Sequence, residues 1–192
     1  MHIIRLQDCP PSTWKNGGGS TRQLLAYPPG ASLDSFTYRV SVAEVDSDGP
    51  FSHFAGVDRS LAILEGDGLA LMNGAQLFGT LLAGQPPLAF DGALPLAGLR
   101  LGGKVRDFNV MSRRGLARHQ CQLRVLAAGS HSLTLPALSL LFVASGQLQW
   151  AGHTLHSMEA AWLDEAAEAT LHCAQATTLL LASFTLTDGS HG

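Results

Sequence analysis

Cysteine is scarce in this 192-residue chain: there are three, Cys9, Cys121 and Cys173, with no two close together. An odd, scattered set excludes a disulfide framework and a CxxC zinc motif. Charge is sparse and balanced, 12 basic residues against 15 acidic. No field that attracts polyanions surrounds such a chain, and no nucleic-acid partner is expected. The densest basic cluster, RRGLAR at 113–118, reads as a solvated turn. Also missing is any uncharged apolar run of about 18 residues, so no membrane partner is expected. TTLLLASFTLT near the end is too short to cross a bilayer. The opening residues, MHIIRLQDCPPSTW, lack the basic start and apolar run of a signal peptide. A cytoplasmic, reducing setting fits these absences.

What is present is punctuation. Twenty-one glycines and nine prolines are spread along the chain and divide short apolar runs, as in all-β domains. FTYRVSVAEV alternates: Phe36, Tyr38, Val40 and Val42 share one strand face, and Thr37, Arg39, Ser41 and Ala43 share the other. QCQLRVLAA sets Cys121, Leu123 and Val125 opposite Gln120, Gln122 and Arg124. MEAAWLDEAAEA, 158–169, conflicts with this trend, because its composition favours helix. An internal repeat argues otherwise. LAILEG, starting at Leu61, overlays LFVASG, starting at Leu141, and GAQL from Gly74 overlays GHTL from Gly152. The repeat predicts strand and turn over 158–169 and two small barrels in tandem. The expected division is 1–110 and 111–192, joined near 100–115 into one compact body in which the halves can exchange strands.

Five motifs in order, WKNGGGSTR, YRVSVAEV, GPFSHFAGVDRSL, LEGDG and RDFNVMSRRG, span 14–115. Together they resemble the HutD/Ves family. The resemblance implies a bicupin, an all-β chain of two antiparallel cupin-like barrels or jelly rolls. It also implies an auxiliary or regulatory role in bacterial histidine utilisation, with sensing of N-formylglutamate as one form of that role.

The residues themselves narrow the chemistry. Cupins resemble a pattern of HxH and a later Glu, with a further His in a second motif, which together hold a divalent metal. Here the matching stretch, PFSHFAGVDRSLAILEG, offers a lone His53, then Asp58 and Arg59. A guanidinium where a ligand should stand opposes a cation. His153 and His156 would point to opposite faces of a strand. No metal and no cofactor are expected. The glycines 17–19 are followed by no GK[ST] phosphate loop, and no GxSxG elbow stands elsewhere in the chain. They either permit a tight bend or bring backbone close to an anion.

Polar groups on β faces are the remaining signal. An arginine inside a small barrel needs a carboxylate partner, from the protein or from a ligand. The expected ligand-binding residues are Trp14, Asn16, Gly18, Arg39, Ser41, His53, Asp58, Arg59, Asp107 and Asn109. No catalytic residue is assigned. The leading reading is a metal-free bicupin that binds a small carboxylate metabolite. One alternative is a metal-independent cupin isomerase or hydrolase, using His53 and Asp58. Another is a protein-interaction module. A homodimer is compatible with the need to cover sheet faces.

Overall fold

The structure, a computed structural model, describes residues 1–14 and 17–187. Among these, nineteen strands, numbered along the chain, and one 3-10 turn at Leu6–Asp8 account for the regular structure. The chain divides into two compact units, one built from Cys9–Arg118 with Leu186 and Thr187, the other from Met1–Asp8 with His119–Thr185.

The first unit is a sandwich of two antiparallel sheets. Six strands lie in the order β2 (Pro11–Thr13), β3 (Gly19–Tyr27), β4 (Tyr38–Val45), β11 (Val105–Arg113), β6 (Val57–Glu65) and β9 (Leu88–Asp91). Four lie in the order β5 (Gly49–Pro50), β10 (Leu96–Arg100), β7 (Leu69–Asn73) and β8 (Gln76–Leu81). Val45, Leu61, Ile63 and Val105 from the larger sheet meet Leu69, Leu71, Leu81 and Leu96 from the smaller in one core. Alternate residues of a strand share a face, so this core identifies the inward face of the larger sheet.

The second unit repeats the plan. Five strands lie in the order β1 (His2–Arg5), β17 (Glu159–Leu163), β14 (Ser139–Ser145), β19 (Thr177–Leu186) and β12 (Ala117–Leu126). Opposite them come β13 (Gly129–Leu135), β18 (Ala167–Cys173), β15 (Gln147–Trp150) and β16 (His153–His156). Its core is apolar throughout, with Leu141, Val143, Leu148, Leu155, Leu171 and Leu179 among its members.

The repeat read from the sequence has a physical basis. Gly66 and Gly146 both hold positive φ, 99° and 84°. A β-carbon would stand 2.5 Å from the Lys104 carbonyl oxygen at the first and 2.8 Å from that of Ala176 at the second. Each marks the same crossing from one sheet to the other. The segment 158–169 forms β17, a bend and the start of β18, as the repeat predicted. Its helix propensity yields to packing: Ala160, Ala161, Trp162 and Leu163 are all buried, pairing with β14 on one side and β1 on the other.

The division between units differs from the expected boundary at 110. It falls between Arg118 and His119, and the first eight residues join the C-terminal unit. The cause is strand pairing, since β1 runs antiparallel to β17, from His2 opposite Trp162 to Arg5 opposite Glu159.

Candidate functional site

The register of the six-stranded sheet gathers polar side chains on its inward face. On β4 and β11, Arg39 stands opposite Met111, Ser41 opposite Asn109, and Ala43 opposite Asp107. On β6, Arg59 stands opposite Met111 from the other side, in line with Leu61 and Ile63 of the core. β11 therefore carries Asp107 and Asn109 between two strands that each carry an arginine. Arg39, Ser41, Arg59, Asp107 and Asn109 are all buried.

The two arginines are held differently. Arg39 donates from Nε to Gln23 Oε1 at 2.9 Å and from Nη1 to Ser41 Oγ at 3.0 Å, with Met111 Sδ at 3.9 Å. All three partners are neutral. The Arg59 guanidinium, 4% exposed, lies over three aromatic rings, 5.2 Å from the Phe51 centroid, 5.7 Å from Phe54 and 5.0 Å from Phe90. Such contacts hold a cation with no anion present. Its Nε has no hydrogen-bond partner, and neither has Asn109 Oδ1. Buried polar atoms are nearly always paired, and these two are exceptions among the described residues, as is Arg106 Nε.

The charges agree. Burial lowers Arg59 to about 10, against the attraction of Asp107 and with a further push from the like charge of Arg39. Burial alone lowers Arg39. Both remain cations at neutral pH. Burial raises the Asp107 carboxyl to about 7, against the pull of Arg59. Two cations thus face one carboxylate that ionises with difficulty, and the cluster has an excess of positive charge in a low-dielectric interior. An added anion would be strongly favoured there.

Other expected site residues lie elsewhere. Asp58, next to Arg59, faces the opposite way by the period of two. It accepts from Arg114 Nη1 at 2.8 Å, and Arg114 also reaches Asp91 at 3.0 Å. His53 is exposed, and its charge contributes to lowering Asp91, after the hydrogen bonds from Arg114 and the Ala93 amide. These four groups, Asp58, Arg114, Asp91 and His53, form a surface network separate from the buried arginines. Arg106 is taken up by Glu44 at 2.8 Å and Glu65 at 2.7 Å. Trp14 packs against the sandwich core and donates its indole N–H to Thr21 Oγ1 at 2.8 Å. The Gly18 carbonyl accepts from the Asp46 and Ser47 amides. A β-carbon on Gly19 would run into the Glu44 carbonyl oxygen and stand 3.1 Å from the Trp14 ring. Close backbone approach at the tip of the β2–β3 hairpin therefore explains Gly19. Asn16 lies outside the described residues.

Gln23 and the aromatic cage of Arg59 were not expected. Gln23 sits at a bulge, where the β3–β4 register shifts before Leu25, so alternation does not reveal its direction. Phe51 and Phe54 are partly buried against the core and also hold the Arg59 cation. Clefts of about 240 and 380 Å³ open on the second unit beside β15 and β18. They contain His172, whose Nδ1 lies 2.8 Å from Ser130 Oγ, but no buried charged residue.

The HutD family model matches residues 6–181. The chain belongs to the HutD family. It is 34% identical over 149 residues to an uncharacterized 21.2 kDa protein in the hutC 3′ region of Pseudomonas putida, covering 78% of this chain and 76% of that one. It is 31% identical over 167 residues to protein Ves of Cronobacter sakazakii, covering 86% and 88%. HutD from Pseudomonas fluorescens SBW25, solved in a formate condition, superposes with a TM-score of 0.81 at 25% identity, covering 97% and 99%. The family is associated with the histidine-utilisation region. The bicupin architecture is shared more widely. An oxalate decarboxylase from Lactobacillus farciminis, in a formate complex, superposes at 0.68 with 9% identity, covering 96% and 88%. A bacterial pirin from Escherichia coli, solved with nickel(II), superposes at 0.66 with 10% identity, covering 94% and 97%. In this HutD-family chain the first barrel's interior does not fit such an ion. It presents two guanidinium groups, and no group of three or more His, Cys, Asp or Glu is arranged for a metal among the described residues.

Proposed function

We propose that the first barrel binds a small anionic metabolite, and that occupancy serves an auxiliary or regulatory role in histidine utilisation. The observation that carries this reading is the buried Arg39–Arg59 pair with its excess charge and the unpaired Nε of Arg59. Arginine forks suit carboxylates. N-formylglutamate is the candidate that fits the family's genomic setting. Calorimetric titration with N-formyl-L-glutamate, urocanate, histidine and formate tests the proposal. Binding of at least one is expected, with loss of that binding on Arg59→Met. No heat and no thermal shift with any of the four at millimolar concentration would overturn it.

A second reading is favoured by Asp107. A buried carboxyl titrating near neutrality beside cations is the kind of group that exchanges protons in catalysis. A metal-independent cupin enzyme would use Asp107, not the exposed His53 and Asp58. Ligand recovered chemically unchanged after prolonged incubation with the protein rejects this reading for that ligand.

A further inference from the structure

The four-stranded sheet of the first unit turns one face to its core, and its other face has the wrong composition for water. Leu69, Leu71, Leu81 and Leu96 belong to the core. Alternation therefore sends Ala70, Met72, Thr80, Ala97 and Leu99 outward. Register arranges the outward side chains in rows. Leu99 stands beside Ala70, and Ala70 beside Thr80. Pro50 stands beside Ala97, Ala97 beside Met72, and Met72 beside Leu77. A further row lies just past the strand ends. Leu101 donates its amide to the Gly68 carbonyl, and a β-carbon on Gly68 would stand 2.6 Å from Leu82 Cδ2 and 3.3 Å from Leu101 Cδ1. Leu82 and Leu101 thus meet over a bare glycine. Leu77 is 61% exposed, Leu101 50%, and Leu82 and Leu99 42% each. In these rows only Thr80 has a polar side chain.

The corresponding sheet of the second unit shows what water-facing strands of this fold carry. Ala169 and Leu171 lie in its core. Its outward pairs are Ser130 with His172, Ser132 with Thr170, and Thr134 with Glu168. An antiparallel sheet with one solvated face alternates apolar and polar residues in this way. The first unit departs from that rule over contiguous side chains, and contiguous exposed apolar surface marks an interaction site. We propose that this face is where a second copy of the chain docks.

Neutrality and shape select a second copy over another occupant. A two-fold axis sets a surface against itself, so any charge near the axis meets its like. This face has no charged side chain to be opposed. The same neutrality gives it nothing with which to steer a foreign protein or hold an anionic headgroup. The face is also stepped. Leu82 and Leu101 cover Gly68, whereas Ala70 and Ala97 leave the middle low. Two-fold pairing lets the leucine step of each copy rest on the alanines of the other, the reciprocal contact of a closed dimer. The area fits as well. Four strands about 4.8 Å apart, each contributing five residues at about 3.4 Å, make a face of roughly 15 by 17 Å. That is about a third of the roughly 800 Å² that each partner buries in a standard interface, with the remainder left to a polar rim. Asn73 and Gln76, paired at the β7–β8 turn, begin such a rim.

Analytical ultracentrifugation of the full chain, from micromolar to millimolar concentration, tests this. A monomer–dimer equilibrium is expected. Leu101→Glu and Leu77→Glu should each weaken it by roughly tenfold or more, because each buries a charge at the centre of the contact. Thr170→Glu, on the corresponding face of the second unit, should leave it unchanged. A measurement on the native chain keeps the test independent of whether a variant folds. The Leu77 and Leu101 methyl resonances are followed by NMR with a soluble paramagnetic probe, and they should be shielded at high concentration and become accessible on dilution. A chain that sediments as a monomer throughout overturns the proposal, even if a foreign protein or phosphatidylcholine vesicles are then found to cover the face. So does a dimer that keeps its full strength in both leucine variants, or one in which the two methyls stay accessible, since its interface lies elsewhere.

Discussion

Arg39 and Arg59 stand on the two strands that flank β11, on one face of one sheet, and each carries its charge into the barrel interior. Arg39 is held by neutral hydrogen-bond acceptors and Arg59 by aromatic rings. Burying these two charges opposes folding, and an anion beside them would relieve that opposition. Arg59→Met should therefore leave the unliganded protein folded and more stable by about 1 kcal/mol or more, as happens when buried ions give way to apolar side chains of similar volume. The same change should abolish anion binding. Chemical denaturation and calorimetry on one preparation check both halves.

Asp107 imposes a pH dependence whose sign can be worked out. In the unfolded chain its carboxyl ionises at about 4, whereas in the fold burial holds it at about 7. Between those values the folded state keeps a proton that the unfolded state has released, so Asp107's contribution to stability falls as pH rises across that window. Asp107→Asn should flatten that part of the stability profile and stabilise the protein at pH above about 7 relative to the native chain. An anion beside Arg59 makes Asp107 harder to ionise. Ligand binding near neutrality should therefore take up a proton and weaken as pH rises, and calorimetry in buffers of different ionisation enthalpy measures the uptake.

His53 and Asp58 should not matter for binding. Asp58 faces away from Arg59 and is engaged by Arg114 in a half-exposed pair. Pairs of this kind contribute about 1 kcal/mol or less. His53→Ala and Asp58→Asn are expected to bind with unchanged affinity, measured by the same titration.

The glycine hairpin offers a purely structural test. Gly19→Ala places a methyl group against the Glu44 carbonyl oxygen, which is backbone and cannot rotate away. A cost of about 2 kcal/mol or more is expected in urea unfolding. Gly17→Ala meets open space but holds φ at 70°. Its cost should be about 1 kcal/mol.

Titration should find one site per chain. The second barrel has the same architecture, but its interior is filled by apolar side chains, mostly leucines with Val143, Trp150, Cys173 and alanines, and it holds no buried charge. A fitted stoichiometry of two would contradict this.

The strand faces were legible in the sequence because a period of two is a local property. Alternation in YRVSVAEV placed Arg39 with Ser41, and the same period in RDFNVMSR sets Asp107 beside Asn109. The same period separates Asp58 from its neighbour Arg59, a signal already present in the sequence. What stayed hidden was non-local. Gln23 reaches Arg39 only because of a bulge, and Phe90 reaches Arg59 only because β9 pairs with β6. The helix-favouring composition of 158–169 was overridden by partners distant in the chain, and no window of local sequence shows β1 as one of them.

That last pairing sets a schedule for the chain. The segment His2–Arg5 is made more than 150 residues before its neighbour in the sheet, Glu159–Leu163. On the ribosome β1 must wait unpartnered until β17 has been made. A cut between Arg118 and His119 would leave the C-terminal piece without an edge strand and the N-terminal piece with an orphaned one. Dissecting this protein into working halves calls for a permuted chain in which residues 1–8 follow residue 187 through a linker, opened before β12 begins at Ala117 so that no strand is cut.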